Sequence, residues 1–277
     1  MVDDTAEVIP QWVLCTALPS EAAPLRKRLR RHGARLRSHS AWPGSVCARW
    51  HGEAVVLGTL GMRAARLREF DEFLAQWPPQ RGMLLLGFAG GLVPTWRPGE
   101  IALATAVVDA RANEGTEATW HVPASAHALA QVAAARAGVS VKAARLLTHT
   151  HVITDPDIKA TLAQRSGCDL VEMEAAPFVA LAERHQLDWL CVRSVFDTAV
   201  ERLPALERLA QARGLNVLRE LAILASTQPR SFASLPRLAR RSAACGRKLV
   251  EFADAFFAAV AENTLGRTQP EQSSDHD

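Results

Sequence analysis

Short apolar runs alternate with longer amphipathic stretches from Trp12 to Val195. That order constrains the chain to an α/β fold, because parallel strands need a crossover helix between them. Trp12–Ala17 reads as a buried strand. A helix follows from about Ser20 to Arg31, with Ser20 at its N-cap, Glu21 in its first turn and arginines in its last. Val46–Trp50 and Ala54–Gly58, joined by His51-Gly52-Glu53, read as a hairpin. Met62–Trp77 is expected as a helix with Leu67, Phe70 and Leu74 on one side, stopped by Pro78-Pro79. Met83–Leu86 reads as a strand running into a turn at Gly87-Phe88-Ala89-Gly90-Gly91. Ile101–Val108 is a further strand, His127–Ala137 a helix ended by Gly138, Arg145–Ile153 an extended segment and Asp157–Gln164 a short helix. Leu170–Met173, the helix Ala175–Gln186 with Pro177 in its first turn, and the strand Trp189–Val195 complete the alternation. Beyond it, Leu203–Ser226 and Leu235–Val260 read as helices, and 268–277 as a disordered polar tail. The expectation is a three-layer α/β sandwich, a largely parallel mixed central sheet flanked by helices. It forms one domain over 1–267 with a basic C-terminal helix at about 235–260.

Composition closes off other classes. With 48% apolar and 22% charged residues, the chain is neither disordered nor collagen-like. Its five cysteines are scattered without a C-x-x-C pair, so neither a disulfide framework nor a zinc cage is suggested. The acidic N-terminus lacks the order of a signal peptide. The longest apolar stretch, Met83–Val93, has 11 residues, against about 20 needed to span a bilayer. A cytoplasmic protein is expected. The net charge of +3 gives no reason to invoke nucleic acid, but it is unevenly spread. Arg202 to Lys248 holds ten basic residues against Glu207 and Glu220.

In open α/β sheets, ligands bind beyond the carboxyl ends of the strands. That rule selects Glu21, Phe88–Gly91, Val152–Thr154, Glu174 and Asp197. Three carboxylates would then converge on one rim beside a glycine-rich turn. Glu174 opens a helix, whose dipole should keep it ionised. Asp197 follows the apolar run Leu190–Phe196, so desolvation should raise its pKa, as a general acid requires. The same residues have plainer readings. Asp197 also reads as a turn cap, Glu174 and Glu21 as ordinary helix-start acids, and Glu172 as a salt-bridge partner of Arg193.

These stretches resemble a known family. Gly87-Phe88-Ala89-Gly90-Gly91-Leu92 is similar to the turn of the purine nucleoside phosphorylase and methylthioadenosine/S-adenosylhomocysteine nucleosidase superfamily. Val171-Glu172-Met173-Glu174-Ala175-Ala176 resembles its ribose-binding motif. Val192-Arg193-Ser194-Val195-Phe196-Asp197-Thr198-Ala199 resembles its catalytic strand end, and Ala17–Ala22 its first loop. The resemblance implies cleavage of a purine N-glycosidic bond without a cofactor, phosphate being a candidate co-substrate. It implies that Asp197 gives a hydrogen to N7 of the base, while Glu174 grips the ribose hydroxyls and Met173 lines the sugar. Backbone groups of Ala89, Gly90, Val152 and Ile153 would hold the base. Arg193 would orient Asp197 or Glu172. Glu21 would activate water, or lie beside phosphate.

Two departures bear on the branch. Leu85 and Phe88 stand where hexameric bacterial phosphorylases place phosphate-binding Arg and Ser. The stretch from Asp109 to His127 lacks the nucleosidases' aromatic insertion. The chain looks like the short hopanoid-associated phosphorylase branch, whose substrate would be adenosylhopane. Hydrolysis of 5′-thioadenosines, or purine binding without catalysis, are the alternatives. A lipid substrate would suit the basic helix, where Arg237, Arg240, Arg241, Arg247 and Lys248 flank Leu238, Leu249, Val250 and Phe252. Such a helix can rest on an anionic membrane surface. A homodimer is implied by the resemblance, with Trp42, Trp77 and Trp96 either at its interface or in the core. His149 and His151 share a strand face, but no third ligand is placed for a metal.

Overall fold

Strand β1 (Trp12–Thr16) is buried along its whole length, so both of its faces must be covered. Alternation along it divides the core: Val13 and Cys15 pack to one side, Leu14 to the other. The computed structural model describes residues 9–31, 36–110, 118–203 and 234–267. Residues 204–226 of the expected helix and the 268–277 tail lie outside them.

Helices α1 (Pro19–Arg31), α3 (Ala124–Arg136) and α6 (Leu235–Arg267) cover the Leu14 side. Helices α2 (Leu67–Gln76) and α5 (Ala175–Arg184) cover the other, through Phe70, Phe73, Leu74 and Phe178. The remaining strands are β2 (Arg37–Ser38), β3 (Val46–Trp50), β4 (Glu53–Thr59), β5 (Gly82–Gly91) and β6 (Ile101–Asp109). They continue with β7 (Thr119–His121), β8 (Val141–Thr148), β9 (Leu170–Glu172) and β10 (Trp189–Asp197). All belong to one sheet in the order β10-β6-β8-β9-β5-β1-β4-β3-β2, with β7 beside β6 and a further β10–β5 pairing.

The three layers agree with the expectation, and the sheet is mixed. β5 runs parallel to β1 and β10, while β6–β10, β5–β9 and the β2-β3-β4 edge are antiparallel. The extra β10–β5 pairing closes β5, β9, β8, β6 and β10 into a ring. β5 belongs to both parts: Gly82–Leu85 pair with β1, and Gly90–Gly91 pair with β9.

Three boundaries differ from the expectation for reasons that bear on the site. Gly87–Gly91 are not a turn but the second half of β5. The helix expected at Met62 begins at Leu67; Arg63 and Ala64 before it are left-handed, with φ of 57° and 53°. β8 starts at Val141 and stops at Thr148, short of Ile153.

Helix α6 follows the expected helix and answers the membrane expectation. Leu249, Phe252, Phe256, Phe257 and Val260 recur at helical spacing and are all buried in the core. Leu238 is buried too. The side that would enter a membrane surface is therefore spent on the sheet. Arg237 and Arg241 bind Glu201, and Lys248 binds Glu251. Trp42 and Trp96 are buried in the core, and Trp77, half-buried, packs on the same core. Among the described residues, no helix is long and apolar enough to cross a membrane.

Candidate active site

The site grows from two glycines on β5. Gly87 lies opposite Arg193 on β10, and Gly90 opposite Asp197. Neither could carry a side chain without displacing a charge. A Cβ on Gly87 would sit 2.6 Å from Arg193 Nη1 and 3.0 Å from Glu21 Oε1. A Cβ on Gly90 would sit 3.1 Å from Asp197 Oδ1. The two positions are three residues apart, roughly 10 Å at about 3.3 Å per residue.

At the Gly87 end, three glutamates surround one arginine. Glu21 arrives on the first turn of α1. Its Oε2 accepts hydrogen bonds from Ala17 N and Leu18 N, and its Oε1 from Phe88 N, each at 2.9 Å. Burial raises its pKa against the pull of those N–H groups and of Arg193. Glu172, at the end of β9, is saturated. It accepts from Thr148 Oγ1 and Arg193 Nη2, and its Oε2 also accepts Glu174 N at 2.9 Å and Ala175 N at 2.8 Å. Glu172 thus holds the start of α5 and the guanidinium, as the salt-bridge reading has it. Arg193 pairs with Glu172, not Asp197.

Glu174 corrects the electrostatic expectation. It sits at the α5 N-cap, but its side chain makes no cap hydrogen bond. The free N–H groups of that helix go to Glu172 and, from Ala176, to Thr148. Glu174 Oε1 instead accepts Arg63 N at 2.8 Å. Burial, with Glu172 and Glu21 close by, pushes its pKa up to about 8 despite Arg193. This contact also explains the broken helix: the left-handed turn at Arg63 aims its N–H at the carboxylate.

At the Gly90 end, Asp197 is buried, and desolvation raises its pKa as expected. Its surroundings are not an apolar shelf, however. Lys159, fully buried on α4 (Pro156–Ser166), donates to Asp197 Oδ2, and also to Thr198 O at 2.7 Å. A register shift between Val195 and Asp197 leaves Phe196 as the extra residue and turns Asp197 toward Gly90.

The other expected residues divide. Ala89 is buried, while Met173, Val152 and Ile153 are half-buried at the strand ends. Phe88 contributes its N–H to Glu21. Its ring goes elsewhere, onto the α6-side core and Phe196, with centroids 5.8 Å apart. Leu85 is fully buried in the core. Among the described residues, no three His, Cys, Asp or Glu side chains gather as a metal site. The His149 ring instead meets the His151 backbone through Nδ1, and the His151 ring meets Thr150 Oγ1 at 2.7 Å.

Lys159 is the group that sequence reasoning passed over. The pattern of α4 would place Ile158 inside and Lys159 outside. The structure does the reverse, with Ile158 51% exposed and Lys159 0%.

The fold that carries these residues is shared with known proteins. The sequence matches the family described as the Phosphorylase superfamily over residues 13–225. The chain belongs to that superfamily, and so to the nucleoside phosphorylase or nucleosidase kind of enzyme. Among solved structures, it is similar to the futalosine hydrolase of Helicobacter pylori, at 15% identity and a TM-score of 0.65, covering 89% of this chain and 98% of that one. The 5′-methylthioadenosine/S-adenosylhomocysteine nucleosidase of Campylobacter jejuni gives 15% identity and a TM-score of 0.64, covering 88% and 99%. The H. pylori nucleosidase with butyl-thio-DADMe-Immucillin-A gives 16% and 0.65, covering 90% and 99%. These likenesses concern the fold. No curated protein matches in sequence.

Proposed function

We propose that the protein cleaves the N-glycosidic bond of an adenine nucleoside and that water is the nucleophile. One observation carries this reading: a cluster of three glutamates and one arginine at Gly87, with a separate aspartic acid at Gly90 on the same strand. An excess of carboxyls over cations suits a sugar that becomes cationic as its bond to the base breaks, because the arriving charge favours their ionised form. A carboxyl with a raised pKa, three residues further along the same strand, suits hydrogen donation to the departing purine. In this reading, Asp197 gives its proton to N7 as the C1′–N9 bond breaks. The sugar's developing charge faces Glu174. Glu21, held by three backbone N–H groups, takes a proton from the water whose oxygen bonds to C1′.

The charge count favours water over phosphate. A phosphate dianion would enter where the guanidinium of Arg193 is already bound by Glu172, beside carboxyls that would have to stay protonated to admit it. Leu85 and Phe88, at the positions of the hexameric phosphorylases' phosphate ligands, offer it nothing. The 5′ substituent follows from resemblance: adenosylhopane from the sequence likeness to the hopanoid-associated branch, a thioether from the names of the structural neighbours.

The test is a panel of adenosine, 5′-methylthioadenosine, S-adenosylhomocysteine, futalosine and adenosylhopane, each with and without phosphate. Free base and free sugar should form at the same rate in both conditions from at least one nucleoside. A sugar 1-phosphate, formed only with phosphate, would replace hydrolysis by phosphorolysis. Release of no base from any of them would overturn the enzyme reading.

A further inference from the structure

A lysine buried completely in the first turn of a helix is costly twice over. Its charge is removed from water, and it lies near the positive end of the helix dipole. Lys159 is in that position: α4 starts at Pro156, and Lys159 N bonds to the Asp155 N-cap carbonyl at 3.0 Å. The ammonium meets one carboxylate oxygen, Asp197 Oδ2, and one carbonyl, Thr198 O. Two further ties hold α4 to the same stretch of chain. Asp155 binds Arg202 at 2.6 Å, and Leu203 N donates to Thr154 O at 3.4 Å. The helix is thus fastened to the segment that carries Asp197, with the lysine at the centre.

We propose that Lys159 is the positioning residue for Asp197: it pins Oδ2 and sets the carboxyl so that Oδ1, over Gly90, meets the leaving base. The inference rests on the nucleoside-cleavage reading above. Gly90 and Lys159 bracket the carboxyl from two sides, so its orientation is fixed before any ligand arrives. The other charges near Asp197 are Glu201, from the segment after β10, and Arg241 on α6. Those two bind each other at 2.7 Å, which leaves Lys159 as the partner that touches the acid. The lysine also balances the charge at this end, and its attraction opposes the desolvation that raises Asp197.

The experiment uses the full-length protein and the best nucleoside of the panel. Lys159→Met keeps the side-chain length and removes the charge. It should lower kcat by about 10²-fold with little change in KM, the lower end of what general acid catalysis supplies. The sign of the pH effect is fixed. Without the ammonium, Asp197 holds its proton more tightly, so the Asp197-dependent limb of the kcat profile should move to higher pH. Lys159→Arg should bring that limb back toward the parent position. A purely structural lysine would lower the rate equally at every pH. That result, or a Lys159→Met variant as active as the parent, would overturn the proposal while leaving nucleoside cleavage intact. A parent that releases no base would overturn the cleavage reading and the lysine's role together. Should the methionine variant fail to fold, Lys159→Gln carries the same comparison.

Discussion

The two ends of the site, though on the same strand, are built on opposite electrostatic plans. At Gly87, one guanidinium faces three carboxylates, and the excess charge is carried as a raised pKa on Glu174. At Gly90, one lysine faces one carboxyl, whose pKa burial raises against the lysine's pull. The first arrangement is poised to gain from a positive charge brought in by a ligand. The second is poised to hold or release a proton without changing its surroundings. An enzyme that separates a sugar cation from a protonated base needs both, and needs them kept apart. Under the proposed reading, binding the sugar more tightly as it becomes cationic would turn the unfavourable cluster into rate.

The largest test of this contrast is kinetic. Asp197→Asn should keep nucleoside binding and lose about 10²–10⁴-fold in turnover, since an amide cannot give up a proton as the acid does. Glu174→Gln should weaken both, raising KM and lowering kcat, because its carboxylate meets the sugar in the ground state as well. Steady-state measurements on the two variants would separate them. If Asp197→Asn turned over at nearly the parent rate, the Gly90 end would not be the acid.

The two glycines give a second, smaller contrast. Gly87→Ala would put its Cβ 2.6 Å from Arg193 Nη1, inside a cluster where the guanidinium is pinned by Glu172 and cannot swing away. We expect a loss of about 1–3 kcal/mol, the usual cost of overpacking, seen in thermal melts. Gly90→Ala meets Asp197 Oδ1 at 3.1 Å and Oδ2 at 3.4 Å, so the carboxyl must shift by a few tenths of an ångström. Its melt should match the parent. Its turnover should fall, by at most about 10²-fold, since misplacement of a reacting group acts on rate. Equal effects of the two alanines on stability would erase the distinction between a structural and a reactive end.

What the sequence made legible follows from what it encodes locally. The apolar run Trp12–Ala17 was enough to read a buried strand, though not which side chain faces which layer. The rule that ligands lie beyond strand ends picks out Glu21 and Glu174, which the structure gathers around Arg193, and Asp197, which it places at Gly90. What it could not show were the groups set by contacts between distant segments. Lys159 is 38 residues from Asp197, on a helix whose apolar pattern points the wrong way. Likewise, Glu174 looked dipole-stabilised because its neighbour Glu172 had not yet been seen to take the helix N–H groups. The glycines read as a turn because glycine usually means one. Here each marks a charged side chain from β10 pressing on β5. The break at Arg63 is of the same kind: local helix propensity gives way to one hydrogen bond required by Glu174.

The smallest expected effect concerns pH and stability, and it distinguishes the ends without any substrate. A carboxyl whose pKa is raised in the folded state stabilises the fold fully only below its unfolded value. For Glu174, that contribution is present below about 4.5, the ordinary glutamate value, and is lost as pH rises through about 8. Glu21 is raised as well and acts in the same direction. The melting temperature of the free protein should therefore fall between pH 5 and pH 8.5. Glu174→Gln should flatten that fall and melt higher than the parent at pH 8.5, at roughly 2–4 °C for each kcal/mol regained in a chain of this size. Lys159 opposes the desolvation of Asp197, so Asp197→Asn should flatten the curve less. Melts across this range would decide it. A parent curve that rises with pH would mean that the Gly87 cluster is ionised throughout, and that the negative excess is held by some other cation.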